Sequence, residues 1–191
     1  MAKKTDIRVR FTQKVLQESL ISLVKEKSIL DISIKEICER AGLSRSTFYM
    51  YYHDQYDLLR QLEDEAFIEA EKIFRPYKSG ERKPDGQVTT VFLQDILQSI
   101  ADNSNSIQVL LSENGDGAFQ KKFFRGGIEA IRHFTEAAGV KPQDKGVAAY
   151  RSVFLAGGIL SLAQEWLQNG MDTPVPDLAK MLARLIRDAL R

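Results

Sequence analysis

The chain has 191 residues, 43% hydrophobic and 28% charged, as in ordinary folded proteins. Its single cysteine, Cys38, excludes an internal disulfide, and its first residues lack the apolar core of a secretion signal, so we expect a cytoplasmic protein. No stretch approaches the roughly 20 apolar residues of a membrane span, so no membrane partner is expected. Residues 1–53 carry 10 Lys and Arg against 6 Asp and Glu, whereas residues 54–191 carry 17 against 20. An excess of basic residues in the N-terminal segment favours a nucleic-acid partner, although such an uneven distribution of charge also arises by chance.

Helical spacing of apolar residues dominates the chain, and strand-like alternation is short, so an all-α fold is expected. Thr12 is placed to cap a first helix. The buried face of that helix would consist of Leu16, Leu20, Leu23 and Val24. A second helix is predicted after Ser33, with Glu36 at capping-box spacing, and it ends at Gly42, the residue type best suited to a left-handed turn.

The second predicted helix and the one after it form a helix-turn-helix. Ser44 caps the third helix, which runs to about Tyr52. Gly42 turns the chain between the two helices, and Leu43 fills the gap beneath the turn. With Phe48 directed inward, the outer face of the third helix would be free to enter a DNA major groove.

Side chains that can bind DNA crowd the outer face of this third helix. Arginine can bond a guanine through two nitrogens, hydroxyls reach phosphates and base edges, and tyrosines bond phosphates. The alternative is that the aromatic side chains form core. Phe48 and Tyr52 are four residues apart and share the inner face, so the other residues are predicted to face outward: Arg45, Ser46, Thr47, Tyr49, Met50 and Tyr51.

Beyond the helix-turn-helix, Asp54 caps a long fourth helix that ends near Pro76. A polar cluster at 78–86 follows and is the best candidate break. Further helices are predicted at 87–103, 106–112, 117–138, 145–169 and 177–190. We therefore divide the chain into a DNA-binding domain at 1–56, built on a three-helix helix-turn-helix, and a helical effector-binding and dimerisation domain at 57–191.

The segment from Ile34 to Tyr52, with Asp57-Leu58-Leu59 after it, resembles the DNA-binding domain of the tetracycline-repressor (TetR/AcrR) family. The resemblance covers roughly residues 8–62, and the run Ala-Gly-Leu-Ser-Arg-Ser-Thr-Phe-Tyr is its most specific part. Gln55 stands where the family usually has lysine, so a phosphate contact there is uncharged and weaker than in the family, and Tyr51 often corresponds to histidine. The positions that match DNA-contacting positions of the family are Ser33, Lys35, Arg45, Ser46, Thr47, Tyr49, Tyr51 and Gln55.

The C-terminal part resembles, more loosely, the branch of this family that includes activators of dihydroxyacetone kinase operons. The resemblance is carried by residues 111–116 (LSENGD) with Phe119, by Gly157-Gly158, and by residues 166–170 (WLQNG). The two glycines lie inside a predicted helix, which they weaken relative to alanine. They are explained if another backbone or a ligand approaches them closely.

Catalysis, metal binding and cofactor binding are not expected. His53 and His133 are on different predicted helices, Cys38 is distant from both in sequence, and no metal-ligand spacing appears. No nucleophile motif and no phosphate-binding loop is present. Trp166 is expected to be core or interface rather than a ligand platform.

The sequence leaves two kinds of regulator open. In one, a homodimer binds a pseudo-palindromic operator in double-stranded DNA, and a small-molecule effector in the C-terminal domain controls its affinity. In the other, a protein partner controls the affinity for DNA and no small molecule binds. Repression is the family default, and activation stays open.

A pocket among the later helices would be anchored by polar residues, unless these face solvent: Gln94, Ser99, Gln108, Arg132, Tyr150 and Gln164. The dimer surface would be a stripe on the last helix, unless that stripe covers the chain's own core: Leu178, Leu182, Leu185 and Ala189, widened by Met181 and Ile186.

Overall fold

The computed structural model describes residues 2–82, 86–137 and 145–189. Within these ranges the chain is helical and contains no strand, which confirms the predicted all-α fold. The helices are α1 (Ala2–Val24), α2 (Ile34–Ala41), α3 (Arg45–Tyr49), α4 (Gln55–Lys78), α5 (Gly86–Asp102), α6 (Ser104–Leu110), α7 (Gly117–Ala137), α8 (Lys145–Gln168) and α9 (Val175–Ala189), with a short 3-10 turn at Ile29–Asp31 between α1 and α2.

The beginning of α1 differs from the prediction. The helix starts at Ala2 rather than after Thr12, so Thr12 is not a cap. Its hydroxyl instead donates to the Arg8 carbonyl four residues earlier, at 2.9 Å, which is how threonine commonly satisfies its side chain inside a helix. The predicted inner face is correct, since Leu16, Leu20, Leu23 and Val24 are all buried.

The chain forms two compact units. The N-terminal unit consists of residues 1–66 and 105–117, and the C-terminal unit of residues 67–104 and 118–191. Helix α4 is continuous through position 56, where the sequence suggested a domain boundary, and it contributes residues to both units. The N-terminal unit therefore includes most of α6, which follows in sequence after the second half of α4 and the whole of α5, both in the C-terminal unit.

The C-terminal unit is held together by α5 packing against α9. These helices bury Phe92, Leu93, Leu97, Leu178 and Leu182. The prediction that Leu178 and Leu182 form a dimer surface is therefore wrong, because a stripe at helical spacing looks the same whether it covers a partner or the chain's own core. Met181 and Leu185 remain 46% and 53% exposed on α9. The Ala189 side chain lies outside the described residues.

Aromatic rings fill much of the interior of the C-terminal unit. Phe92 lies 4.3 Å from Phe134 and 5.2 Å from Tyr77 between ring centroids, which joins α4, α5 and α7. The His133 Nε2 atom is 3.1 Å from the Tyr77 carbonyl oxygen. Trp166 is buried, as predicted, and its indole N–H donates to the Thr173 carbonyl at 2.8 Å.

Several side chains predicted to point into a pocket do not. Gln94 and Arg132 are exposed, and Tyr150 is 80% exposed, so the prediction that they face inward is wrong. Ser99, Gln108 and Gln164 are half-buried. The predicted inward direction of these residues depended on the assumed phase of each helix, and a small error in that phase moves a side chain from the buried face to the exposed one.

Helix α8 is more apolar than the sequence suggested. By length and composition alone, residues Val147–Gln168 would suffice to cross a membrane, so the prediction that no stretch approaches a span is wrong. Only 22% of that window is buried within the chain. Its exposed apolar side chains lie toward its first half: Val147, Tyr150, Val153 and Phe154.

Candidate nucleic-acid interface

The helix-turn-helix is anchored to α1 by Arg40 on α2. Two nitrogens of its guanidinium bond the Glu26 carboxylate, Nη1 to Oε1 at 2.6 Å and Nη2 to Oε2 at 3.2 Å. Nη1 also donates to the Ser22 hydroxyl at 2.7 Å. The paired geometry lowers the pKa of Glu26 and raises that of Arg40. Because this pair is bidentate, it fixes α2 against the turn that follows α1 better than a single contact would.

The predicted capping box is present at the start of α2. The Ser33 hydroxyl oxygen accepts the Glu36 backbone N–H at 3.3 Å, and the Glu36 carboxylate accepts the Ser33 N–H at 3.0 Å. Lys27 donates to the other carboxylate oxygen at 2.6 Å. The Lys27 hydrogen bond, together with the bonds from Ser33, lowers the pKa of Glu36 to about 2. The first turn of α2 is therefore fixed by both hydrogen bonds and charge.

The turn between α2 and α3 has the geometry that the sequence predicts. Gly42 has φ of 65°, in the left-handed region that favours glycine, and it caps the C-terminus of α2. The Leu43 N–H donates to the Cys38 carbonyl at 3.0 Å. Beneath the turn, Ile37 and Phe48 are fully buried, and burial raises the pKa of the Cys38 thiol.

Three hydroxyl groups cluster at the beginning of α3. The Ser44 side chain caps the helix by accepting the Thr47 N–H at 3.1 Å. The Ser44 oxygen also lies 2.7 Å from the Ser46 hydroxyl and 2.9 Å from the Thr47 hydroxyl. These hydrogen bonds hold the three side chains in place, so the side chains would lose little conformational freedom on binding a partner.

Helix α3 is shorter than predicted, since it ends at Tyr49 rather than near Tyr52. The chain turns there, and the Tyr51 and Tyr52 amides both donate to the Phe48 carbonyl. The predicted inner face is correct: Phe48 and Tyr52 are buried, with ring centroids 5.6 Å apart. Burial raises the pKa of Tyr52 to about 12.

The residues predicted to contact DNA are mostly accessible. Arg45, Ser46 and Tyr49 are exposed on α3, and Thr47 and Tyr51 are half-buried. Ser33 and Lys35 are exposed at the start of α2, where the Lys35 ammonium is 3.6 Å from Glu39. Gln55 is half-buried at the first position of α4, whose start is capped by Asp54 as predicted. Contact of these eight residues with DNA stays a prediction.

Two exposed residues beside this set were left out of it. Met50 follows α3 and is 69% exposed, and His53 is exposed in the turn before α4. The His53 N–H donates to Asp57 at 3.0 Å, which directs the backbone from α3 into α4. The exposure of Met50 agrees with its predicted outward position, although methionine offers no hydrogen-bond donor to a base. Among the described residues, no cluster of three or more His, Cys, Asp or Glu could hold a metal ion.

A short capped helix, a glycine turn and a second helix locked by a buried phenylalanine, within an all-helical chain, define a helix-turn-helix transcriptional regulator. The C-terminal half matches the family model described as "Transcriptional regulator C-terminal region", of TetR type, over residues 89–188, which is more than half of the chain. The chain belongs to the TetR family of transcriptional regulators.

A relative in Haemophilus influenzae, described as an HTH-type transcriptional regulator, is 23% identical over 188 residues, covering 97% of this chain and 90% of the relative. Three solved structures share the fold. NalD of Pseudomonas aeruginosa, the secondary repressor of the MexAB-OprM multidrug efflux pump, has a TM-score of 0.72 at 16% identity, covering 95% and 97% of the two chains. FadR of Bacillus subtilis, in complex with stearoyl-CoA, has a TM-score of 0.64 at 13% identity, covering 91% of this chain and 96% of FadR.

The third structure bears on the branch suggested by the C-terminal motifs. The dihydroxyacetone kinase operon activator DhaS has a TM-score of 0.53 at 17% identity, covering 94% of this chain and 96% of DhaS. This likeness is weaker than that of NalD or FadR. At these identities all three structures support the fold alone.

Proposed function

We propose that this protein binds a pseudo-palindromic site in double-stranded DNA as a homodimer, with α3 of each protomer in a major groove. The observation that carries the proposal is the division of α3 into two faces. Phe48 is fully buried and fixes the helix, while Arg45 and Ser46 are exposed and Tyr49 is 57% exposed on the side away from the core. A five-residue helix reads few base pairs, so selectivity requires a second copy on an adjacent half-site.

Helix α8 offers the surface for a second copy. Val147, Tyr150 and Phe154 are 61%, 80% and 73% exposed, and they recur at spacings of three and four residues on one helix face. Met181 and Leu185 on α9 add further exposed apolar area. Exposed large apolar side chains in such a row mark an interaction surface, and pairing of α8 and α9 between two protomers would cover them as a four-helix bundle.

Control of DNA affinity by a small-molecule effector in the C-terminal unit is the finer part of the proposal. Support comes from the aromatic side chains of the C-terminal unit, among them Tyr77, Phe92 and Phe134, which are of the kind that lines apolar ligand sites. The stearoyl-CoA complex of FadR shows that this fold accommodates a ligand in that protein. NalD is a repressor and DhaS an activator, and we favour repression, in the cytoplasm, without enzymatic activity. The alternative is control by a protein partner, with no small-molecule ligand.

The experiment begins with selection of duplexes from a random-sequence library by the full-length protein. The proposal expects an enriched pseudo-palindrome with half-sites about one helical turn apart, bound by two protomers. Failure to enrich any sequence would overturn it. Metabolites that shift the melting temperature are then titrated with and without the selected duplex. An effector that weakens DNA binding 100-fold must itself bind about 100-fold more weakly to the DNA complex, because the coupling is reciprocal.

A further inference from the structure

Residues 105–117 come from the C-terminal half of the sequence but pack in the N-terminal unit. Four buried apolar side chains anchor this segment: Ile107, Val109, Leu110 and Leu111. The chain thus passes between the units at three places: inside α4 after residue 66, before residue 105 and after residue 117. DNA contact by α3 does not by itself explain why the segment belongs to this unit.

Asn114 makes two hydrogen bonds to the connection between α1 and α2. Its side-chain Nδ2 donates to the Val24 carbonyl at 3.0 Å, and its backbone carbonyl accepts the Ile29 N–H at 3.1 Å. The Val24 carbonyl lies in the last turn of α1, where carbonyls have no partner within the helix. The Ile29 N–H begins the 3-10 turn. One residue therefore holds both the end of α1 and the start of the 3-10 turn.

The turn that carries Asn114 is closely packed. A Cβ atom on Gly115 would lie 2.7 Å from the Val109 carbonyl oxygen and 3.0 Å from that of Leu110, so the backbone approach requires glycine. The Gly115 N–H donates to the Ser112 carbonyl at 3.1 Å. These features account for the Asn-Gly pair within the 111–116 motif, because the tight turn presents the Asn114 amide toward α1.

The connection held by Asn114 leads directly into the helix-turn-helix. Ile29 and Ile32 are buried, and Ser33 follows at once as the cap of α2. Helix α2 in turn packs against α3. A displacement of the connection would therefore change the direction in which α2 leaves it, and would move α3 with it.

We infer that Asn114 is a positioning residue for DNA recognition: it contacts no DNA, but it fixes the α1–α2 connection and so the direction of α3. The inference rests on the proposed function, since it assumes that α3 reads DNA. It also makes residues 105–117 an integral part of the DNA-binding unit. A positioning role reduces affinity for the selected site more than affinity for unrelated DNA, whose binding depends on charge rather than on alignment with base edges.

The test compares Asn114→Asp with Asn105→Asp. Aspartate has the size of asparagine but cannot donate to the Val24 carbonyl. Asn105 lies in the same segment and is exposed, with its oxygen 2.7 Å from the Lys25 ammonium, so its replacement adds the same charge without breaking the connection. Each variant is titrated on a duplex selected by the wild-type protein and on a duplex of unrelated sequence.

Asn114→Asp is expected to weaken binding to the selected duplex about 10-fold, because α2 and α3 then sample other directions in the free protein and only a fraction of the molecules is aligned for binding. Its affinity for unrelated DNA should match that of Asn105→Asp. Equal affinity of the two variants for the selected duplex would overturn the inference. So would an equal loss on both duplexes, because that is the signature of partial unfolding.

Hydrogen exchange on the wild-type protein keeps the inference testable if Asn114→Asp does not fold. The Ile29 amide should be protected as strongly as amides within α2, and exchange at the rate of an exposed loop amide would overturn the inference. This measurement also separates the two proposals. A wild-type protein that enriches no duplex contradicts the proposed function, whereas an unprotected Ile29 amide contradicts the role of Asn114 alone.

Discussion

The Lys27 ammonium lies 2.6 Å from one oxygen of the Glu36 carboxylate, while the other oxygen accepts the N–H and the hydroxyl of Ser33. One carboxylate thus joins Lys27, three residues after α1, to Ser33 at the cap of α2. All three donors bond more strongly to the charged carboxylate than to the neutral acid, so protonation weakens the arrangement.

The stability contributed by this carboxylate should depend on pH in a defined direction. Its pKa is about 2 in the folded chain, below the ordinary value of 4.5. The contribution is therefore fully present above about pH 4.5 and is lost as the pH falls toward 2. Wild-type protein should melt higher than Glu36→Gln at pH 6, and the difference should shrink toward pH 2. Glu18→Gln, which alters an exposed pair at 3.8 Å, is the control and should show little difference at any pH. A Glu36→Gln difference that did not change with pH would contradict this account.

Arg45 and Lys35 are expected to contribute to DNA binding in different ways. Arg45→Ala should cost about 1–3 kcal/mol on the selected duplex and little on unrelated DNA, because a base contact is lost. Lys35→Ala should weaken binding to both and reduce the salt-dependence slope by about one. Lys180→Ala on α9, which removes a cation of similar exposure, is the matched control. Equal effects of Arg45→Ala on both duplexes would remove Arg45 from base recognition.

Phe154→Glu should produce a monomer that remains helical and no longer binds the selected duplex. The side chain is 73% exposed, so the substitution leaves the chain's own core intact but places a charge in the proposed interface. Ile68→Glu on α4 is the control, since Ile68 is also an exposed apolar residue, at 54%. Sedimentation equilibrium distinguishes the outcomes, and an intact Phe154→Glu dimer would place the interface elsewhere.

Leu178→Ala should lower the free energy of unfolding by about 2–5 kcal/mol, because the side chain is 2% exposed. Leu30→Ala, at a position 74% exposed, should change it by less than about 0.5 kcal/mol. Denaturant titration measures both. If Leu178→Ala separated the protomers while leaving the stability of each protomer unchanged, Leu178 would belong to a dimer surface rather than to the chain's own core.

The helix-turn-helix could be predicted in detail because its signals are local. Ser33 and Glu36, Gly42, Ser44 and Phe48 each specify a cap, a turn or a buried contact within a few residues, and each is found where predicted. The way in which the C-terminal helices pack against one another could not be predicted. The α9 stripe and the polar residues of the C-terminal helices have a recognisable period, but the period does not say which surface covers them.

The contacts of Asn114 show a second kind of limit. Its partners Val24 and Ile29 are about 90 and 85 residues away in sequence, and no local pattern connects them. The Asn-Gly pair could be interpreted as a break between helices, which it is. That Asn114 also donates a hydrogen bond to the last turn of α1 follows only from the packing of α6.

The composition of the N-terminal unit from residues 1–66 and 105–117 has a consequence for synthesis on the ribosome. The helix-turn-helix leaves the ribosome early, but Asn114 and the apolar side chains of α6 follow after residues 67–104 have been made. At roughly 5–20 residues per second, completion of the unit lags behind residue 66 by about 3–10 s. A nascent or truncated chain that ends before α6 therefore carries every DNA-contacting candidate without the segment that fixes their direction. Such fragments would compete poorly with finished regulators for the operator.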